Sequence, residues 1–191
     1  MQPKKKFSTF VIPLLSATFL VSCLLPGMIP LTPVPTVPAP AMEKDAEKVI
    51  EALNGNTSVL LEALAQEQYT EEDLAKPGTL TYTVKITEER PTYFGYGWCT
   101  TTEEILRQNF EHINVQLFFN DDDLGNDVIH PVTFTQSDGL VCLQYVVLMS
   151  DWPNGEYNLE VIATFDEKIN DGLADFEAGD YIFVYNVTVE K

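Results

Sequence analysis

From residue 79 to the end of the chain apolar residues recur at every second position, and no other property of the sequence restricts the fold so strongly. In LTYTVKI (80–86), Leu80, Tyr82, Val84 and Ile86 fall on one side, with threonines and a lysine on the other. INVQLFF (113–119) places Ile113, Val115, Leu117 and Phe119 together in the same way. A period of two is the alternation of side chains across a pleated strand, not the 3.6-residue repeat of a helix. LVCLQYVVLM (140–149) is apolar almost throughout, the pattern of a central strand covered on both faces. PVTFTQ reads as an edge strand, because Pro131 has no N–H to give to a ladder. Strands over 156–165 and 180–190 complete the set, and TTTEEILRQNF (100–110) predicts one or two helical turns between strands.

Ahead of the strands, residues 42–77 follow a helical period. Ala46, Val49, Ile50 and Leu53 are helically spaced and stop at Asn54-Gly55. TSVLLEALAQEQ repeats the pattern with Leu60, Leu61 and Leu64, and predicts a second short helix over 57–68. Thr70-Glu71-Glu72-Asp73 has the form of a capping box opening a last turn that Pro77-Gly78 ends.

The last two strands begin alike. Gly155-Glu156-Tyr157 and Gly179-Asp180-Tyr181 each lead into an alternating run, so each turn delivers a tyrosine to the inner face of its strand. The arrangement resembles bacterial immunoglobulin-like β-sandwich modules. That resemblance covers residues 78–191 and implies a mainly β protein: an immunoglobulin-like antiparallel β-sandwich preceded by short amphipathic helices. The sequence departs from the pattern in its helical insert and in lacking the antibody-type cysteine spacing with a tryptophan between.

The N-terminus has the three-part build of an export signal: Lys4, Lys5 and Lys6, a mostly apolar stretch over 7–21, then a small residue before cysteine. Pro13 breaks the apolar stretch, which is shorter than the roughly 20 residues of a membrane span. Leu20-Val21-Ser22-Cys23 resembles the bacterial lipobox. The resemblance implies a signal peptide over 1–22, cleavage before Cys23 and lipid on its thiol. Two or three acyl chains hold a protein stably to a membrane, so the expected location is extracytoplasmic. Residues 23–41 then form a spacer, with six prolines between positions 26 and 40 keeping it extended.

A formal charge of −18 excludes nucleic acid as a partner, since neutralising phosphates requires lysines and arginines that this chain lacks. Cys99 and Cys142 remain as an even pair; in an oxidising compartment such a pair is more often bridged than left as buried thiols. PTYFGYGWC (91–99) offers Tyr93, Tyr96 and Trp98 either as a platform for a glycan or protein or as strand residues of the core. Asp121, Asp123 and Asp127 in NDDDLGND (120–127) are candidate calcium ligands without EF-hand spacing, the alternative being a hairpin turn with solvated carboxylates. No nucleophile elbow, zinc helix, P-loop or dinucleotide glycine run is present, and the only histidines are His112 and His130. The expectation is a membrane-anchored, non-catalytic binding or structural module with an extracytoplasmic protein or glycan as partner and no cofactor. A calcium-dependent adhesion or glycan-binding module and a carboxylate-based hydrolase or its accessory are the alternatives.

Overall fold

A computed structural model describes residues 38–191, and strands dominate them. The expected signal peptide, the lipobox residues Leu20, Val21 and Ser22, the lipid-bearing Cys23 and most of the proline-rich spacer lie outside the described residues. In chain order the elements are β1 (Ala41–Met42), α1 (Ala46–Asn54), β2 (Val59–Leu60), a 3₁₀ turn (Leu61–Leu64), α2 (Glu71–Leu74), β3 (Gly78–Ile86), β4 (Thr92–Thr100) and α3 (Glu103–Asn109). They continue with β5 (Ile113–Phe119), β6 (Asp122–Asp123), β7 (His130–Thr135), β8 (Val141–Ser150), β9 (Gly155–Phe165), β10 (Ile169–Asn170), β11 (Asp175–Phe176) and β12 (Gly179–Val189). One five-stranded sheet has the order β1-β8-β4-β2 with β7 also on β8; the other runs β3-β12-β9-β5-β6, and β10 and β11 form a separate hairpin.

The inward residues of both sheets meet in one core, with Phe94, Tyr96, Trp98, Val147 and Met149 from the first and Tyr82, Val84, Leu117, Leu159, Val161 and Tyr185 from the second. Each fully buried aliphatic side chain of this kind stabilises the fold by roughly 2 kcal/mol. The unbroken apolar run of β8 follows from its position: Val147 and Met149 join this core, while Val146 and Leu148 lie on the opposite face and pack with Val49 of α1. Helix α1 starts where the Asp45 carboxylate accepts the Glu47 N–H at 3.0 Å. Both tyrosine turns also form. Tyr157 donates its hydroxyl to Pro153 O at 2.9 Å and Tyr181 donates to Glu177 O at 2.9 Å, and both rings are buried.

Two expectations are corrected. Pairing is not antiparallel throughout, because β3 runs parallel to β12 and β2 parallel to β4. Each of these strands reaches its neighbour through intervening chain, so no hairpin turn imposes opposite directions. The second helix of the 42–77 segment is replaced by β2 and the 3₁₀ turn. Leu61 is fully buried in the shared core while Val59 and Leu60 pair with Thr92 and Tyr93. Packing on β4 outweighs the few tenths of a kcal/mol per residue by which leucine and alanine favour a helix. The capping box at Thr70 does form, with Thr70 Oγ1 accepting the Asp73 N–H at 3.2 Å and Asp73 Oδ2 accepting the Thr70 N–H at 3.0 Å.

Candidate functional site

Strand β4 carries the site. Alternation along it buries Thr92, Phe94, Tyr96, Trp98 and Thr100 and sends Tyr93, Gly95, Gly97 and Cys99 to the other face. Tyr93 packs there with the residues under α1. Tyr93, Tyr96 and Trp98 therefore make no common platform: the period of two puts the sheet between the first and the other two. Cys99 and Cys142 lie directly opposite each other on β4 and β8 and are joined by a disulfide, with their Cα atoms 4.1 Å apart. So short a separation marks an antiparallel pair whose own N–H and C=O groups point away from the partner strand.

One edge of β4 belongs to β8. Along the other, β2 reaches only Thr92 and Tyr93, and beyond the strand's far end Asp171 O accepts the Thr101 N–H at 2.9 Å. Alternation counted from Cys99 turns the peptide groups of Gly95, Gly97 and Cys99 to this edge, and none has a backbone partner among the described residues. Gly95 is what lets β4 come this close to β8, since a Cβ there would overlap the Tyr145 carbonyl oxygen.

Between this open edge and the second sheet lies a cleft of about 560 Å³. Tyr96 and Trp98 of β4 line it together with Tyr181, Phe183 and Tyr185 of β12. The Tyr96 and Phe183 rings are 6.3 Å apart, and Trp98 meets Phe176 edge-to-face at 4.7 Å. Burial, reinforced by Tyr181, raises the Tyr96 phenol far above the usual tyrosine range; burial, then Glu62 and Tyr82, does the same for Tyr185. Both hydroxyls stay neutral across the physiological range. Glu62, Glu71 and Asp171 add carboxylates to the lining, and among the described residues no lysine, arginine or histidine lines it.

Two features of the cleft are unusual in a finished core. Trp98 is only 8% exposed, yet its Nε1 has no hydrogen-bond partner among the described residues. A buried donor left in this way costs about 1–3 kcal/mol, and native structures keep few of them. Trp152 is the contrast, donating its Nε1–H to Thr92 Oγ1 at 3.0 Å. Second, Leu173, between β10 and β11, is 71% exposed where it lines the cleft. Its turn is fixed. Asp171 Oδ1 accepts the N–H groups of Leu173 and Ala174 at 2.7 Å each, and Gly172, at φ +97°, backs onto Thr101 so closely that no side chain fits.

The acidic candidates are not brought together. Asn120 and Asp121, with φ of 49° and 67°, make the two-residue turn from β5 into β6. Asp123 follows exposed in β6, while Asp127 pairs with Lys44 Nζ at 2.6 Å, which holds its carboxyl below the usual range. Among the described residues no three His, Cys, Asp or Glu side chains are grouped to hold a metal ion. His112 Nδ1 lies 2.9 Å from Asp166, which raises its pKa, and His130 Nε2 lies 3.0 Å from Glu43 O in the segment after β1. These contacts join neighbouring segments.

Sequence reasoning missed the cleft because its walls come from positions as distant as 62, 98, 171 and 185. A partial signal exists: the spacing in TYFGYGWCT already puts Tyr96 and Trp98 on one face. No protein-family model matches this chain, and no curated protein matches it.

Proposed function

We propose that residues 78–191 form an immunoglobulin-like β-sandwich that binds a ligand without chemistry, displayed outside a bacterial cell on a lipid anchor at Cys23. Support for the fold comes from the strand order, β3-β12-β9-β5-β6 against β7-β8-β4, and from Tyr157, whose hydroxyl bonds back to Pro153 at the start of β9 in the manner of a tyrosine corner. The disulfide differs from that of antibody domains in joining neighbours within one sheet. Support for the anchor comes from Lys4, Lys5 and Lys6, the apolar stretch after them and the Leu20-Val21-Ser22-Cys23 motif.

One observation carries the binding role: an aromatic cleft of about 560 Å³ beside an edge of β4 that has no backbone partner at Gly95, Gly97 and Cys99 among the described residues. That volume is within the roughly 300–1,000 Å³ of ligand sites. Expressed in a bacterium with an alkyne fatty acid, the full chain is expected to take up label and fractionate with membranes, and Cys23→Ala to do neither. Label on the Cys23→Ala chain, or none on the parent, overturns the anchor. For the cleft, peptide and glycan arrays are probed with the parent and with Trp98→Phe. A bound class lost in the variant supports the site, and identical profiles overturn it.

A further inference from the structure

We propose that the occupant of the cleft is an extended, cationic peptide segment of a partner protein, added as a new strand to the open edge of β4. The inference rests on the binding role given above and narrows it to a partner class.

Four observations converge on it. The peptide groups of Gly95, Gly97 and Cys99 face the open edge and together offer three donors and three acceptors at the spacing of a strand. An exposed edge of this kind is what strand addition uses, with main-chain hydrogen bonds for affinity and pockets for alternate side chains. The pocket is present beside the edge: an apolar or aromatic side chain pointing inward from the new strand enters between Tyr96, Trp98 and Phe183. Leu173, on a backbone turn held by Asp171 where it lines the same cleft, supplies exposed apolar contact without an ordering cost for the backbone.

Charge selects the partner. The lining holds Glu62, Glu71 and Asp171 and no cation, and the whole chain carries a formal −18. A second copy pairing edge to edge would bring two such polyanions together, whereas a segment alternating Lys or Arg with apolar residues meets opposite charge as it docks.

The test uses the full chain in detergent and a fluorescein-labelled peptide of seven residues in which Lys alternates with Val or Phe. Saturable binding is expected, weakening with salt and at least about tenfold weaker for the peptide carrying Glu in place of Lys. Methylating the peptide's backbone nitrogens at one set of alternate positions is expected to abolish binding, and at the other set to leave it, since only one set faces β4. On binding, hydrogen exchange of the Gly95, Gly97 and Cys99 amides should slow. Trp98→Ala is expected to weaken the peptide by about tenfold, the loss of one apolar wall of the cleft. Peptide binding that ignores backbone methylation and charge overturns the strand proposal, as does a glycan that fills the cleft without protecting those amides; the cleft remains a binding site in both cases. If no peptide or glycan alters Trp98 emission in a Trp152→Phe background, both proposals fall.

Discussion

Strands β3 and β4 are finished in opposite ways. Along the outer edge of β3 the preceding chain covers the middle of the strand: Ala65 bridges Val84, and Gln66 N–H reaches Thr83 O at 3.0 Å. The Glu67 carboxylate accepts Thr83 N–H at 2.6 Å and its hydroxyl at 2.8 Å, and Tyr69 Oη accepts Thr81 N–H at 3.1 Å and donates to Thr81 O at 2.7 Å. Along β4 the same stretch of chain gives only β2, two residues long. A natural sheet protects its edges against unwanted pairing. Side chains here were recruited to seal one border, and the other was left bare beside an aromatic hollow.

Because β4 has a full-length neighbour on one side only, the covalent link to β8 should matter more to it than any other single contact. Replacing Cys99 and Cys142 with alanine opens a loop whose ends are 43 residues apart in sequence and is expected to cost about 4 kcal/mol in the chain-entropy model. Urea titration measures the loss, and exchange of β4 amides should rise well above that of β3 amides. Equal acceleration in both strands would erase the difference drawn here. Gly95→Ala comes next, at about 3 kcal/mol, because its methyl group collides with the Tyr145 carbonyl and pushes β4 off its one remaining partner. Thermal or urea unfolding of the variant checks this.

The two tryptophans sharpen the contrast on a smaller scale. Trp152→Phe removes a satisfied hydrogen bond to Thr92, and Trp98→Phe removes an N–H that has no partner. The first is expected to destabilise by about 1 kcal/mol more than the second. Equal costs would mean that Trp98 is not orphaned. Smallest is the pH response of the sealed edge. The Thr83 N–H, and after it the Thr83 hydroxyl, hold Glu67 below its ordinary pKa of 4.5. A group whose pKa is lower in the folded chain contributes stability above its unfolded value and loses it as pH falls through the folded one. Protection of the Thr83 amide, taken relative to its intrinsic exchange rate at the same pH, should therefore fall below pH 4.5, with Glu67→Ala lowering it roughly fivefold at neutral pH.

Much of the strand layout was legible because alternation has one structural meaning. The runs at 80–86 and 113–119 became β3 and β5, and the tyrosines of the two glycine turns went inward as the spacing required. The apolar run at 140–149 implied cover on both faces, and Val146 and Leu148 find it beneath α1. Leu60, Leu61 and Leu64 misled because a helical spacing over so few residues is overruled when a neighbouring strand offers burial. The cleft was not legible at all as a cavity: Glu62, Trp98, Asp171 and Tyr185 converge only once the sheets close, and no local pattern encodes that meeting. The aspartates take the hairpin-turn alternative, because a tight turn converts proximity in sequence into divergence in space.

The rung between Cys99 and Cys142 has a final consequence for any visitor at the border of β4. Strands that add to an unsealed sheet also threaten to peel away the host's own outermost strand and take its place. Here that outcome is barred, since β4 is bolted to the strand behind it. A strand added there as proposed above is expected to extend the sheet and to leave it without displacing β4 while the disulfide is intact, and reduction is expected to open β4 to exchange.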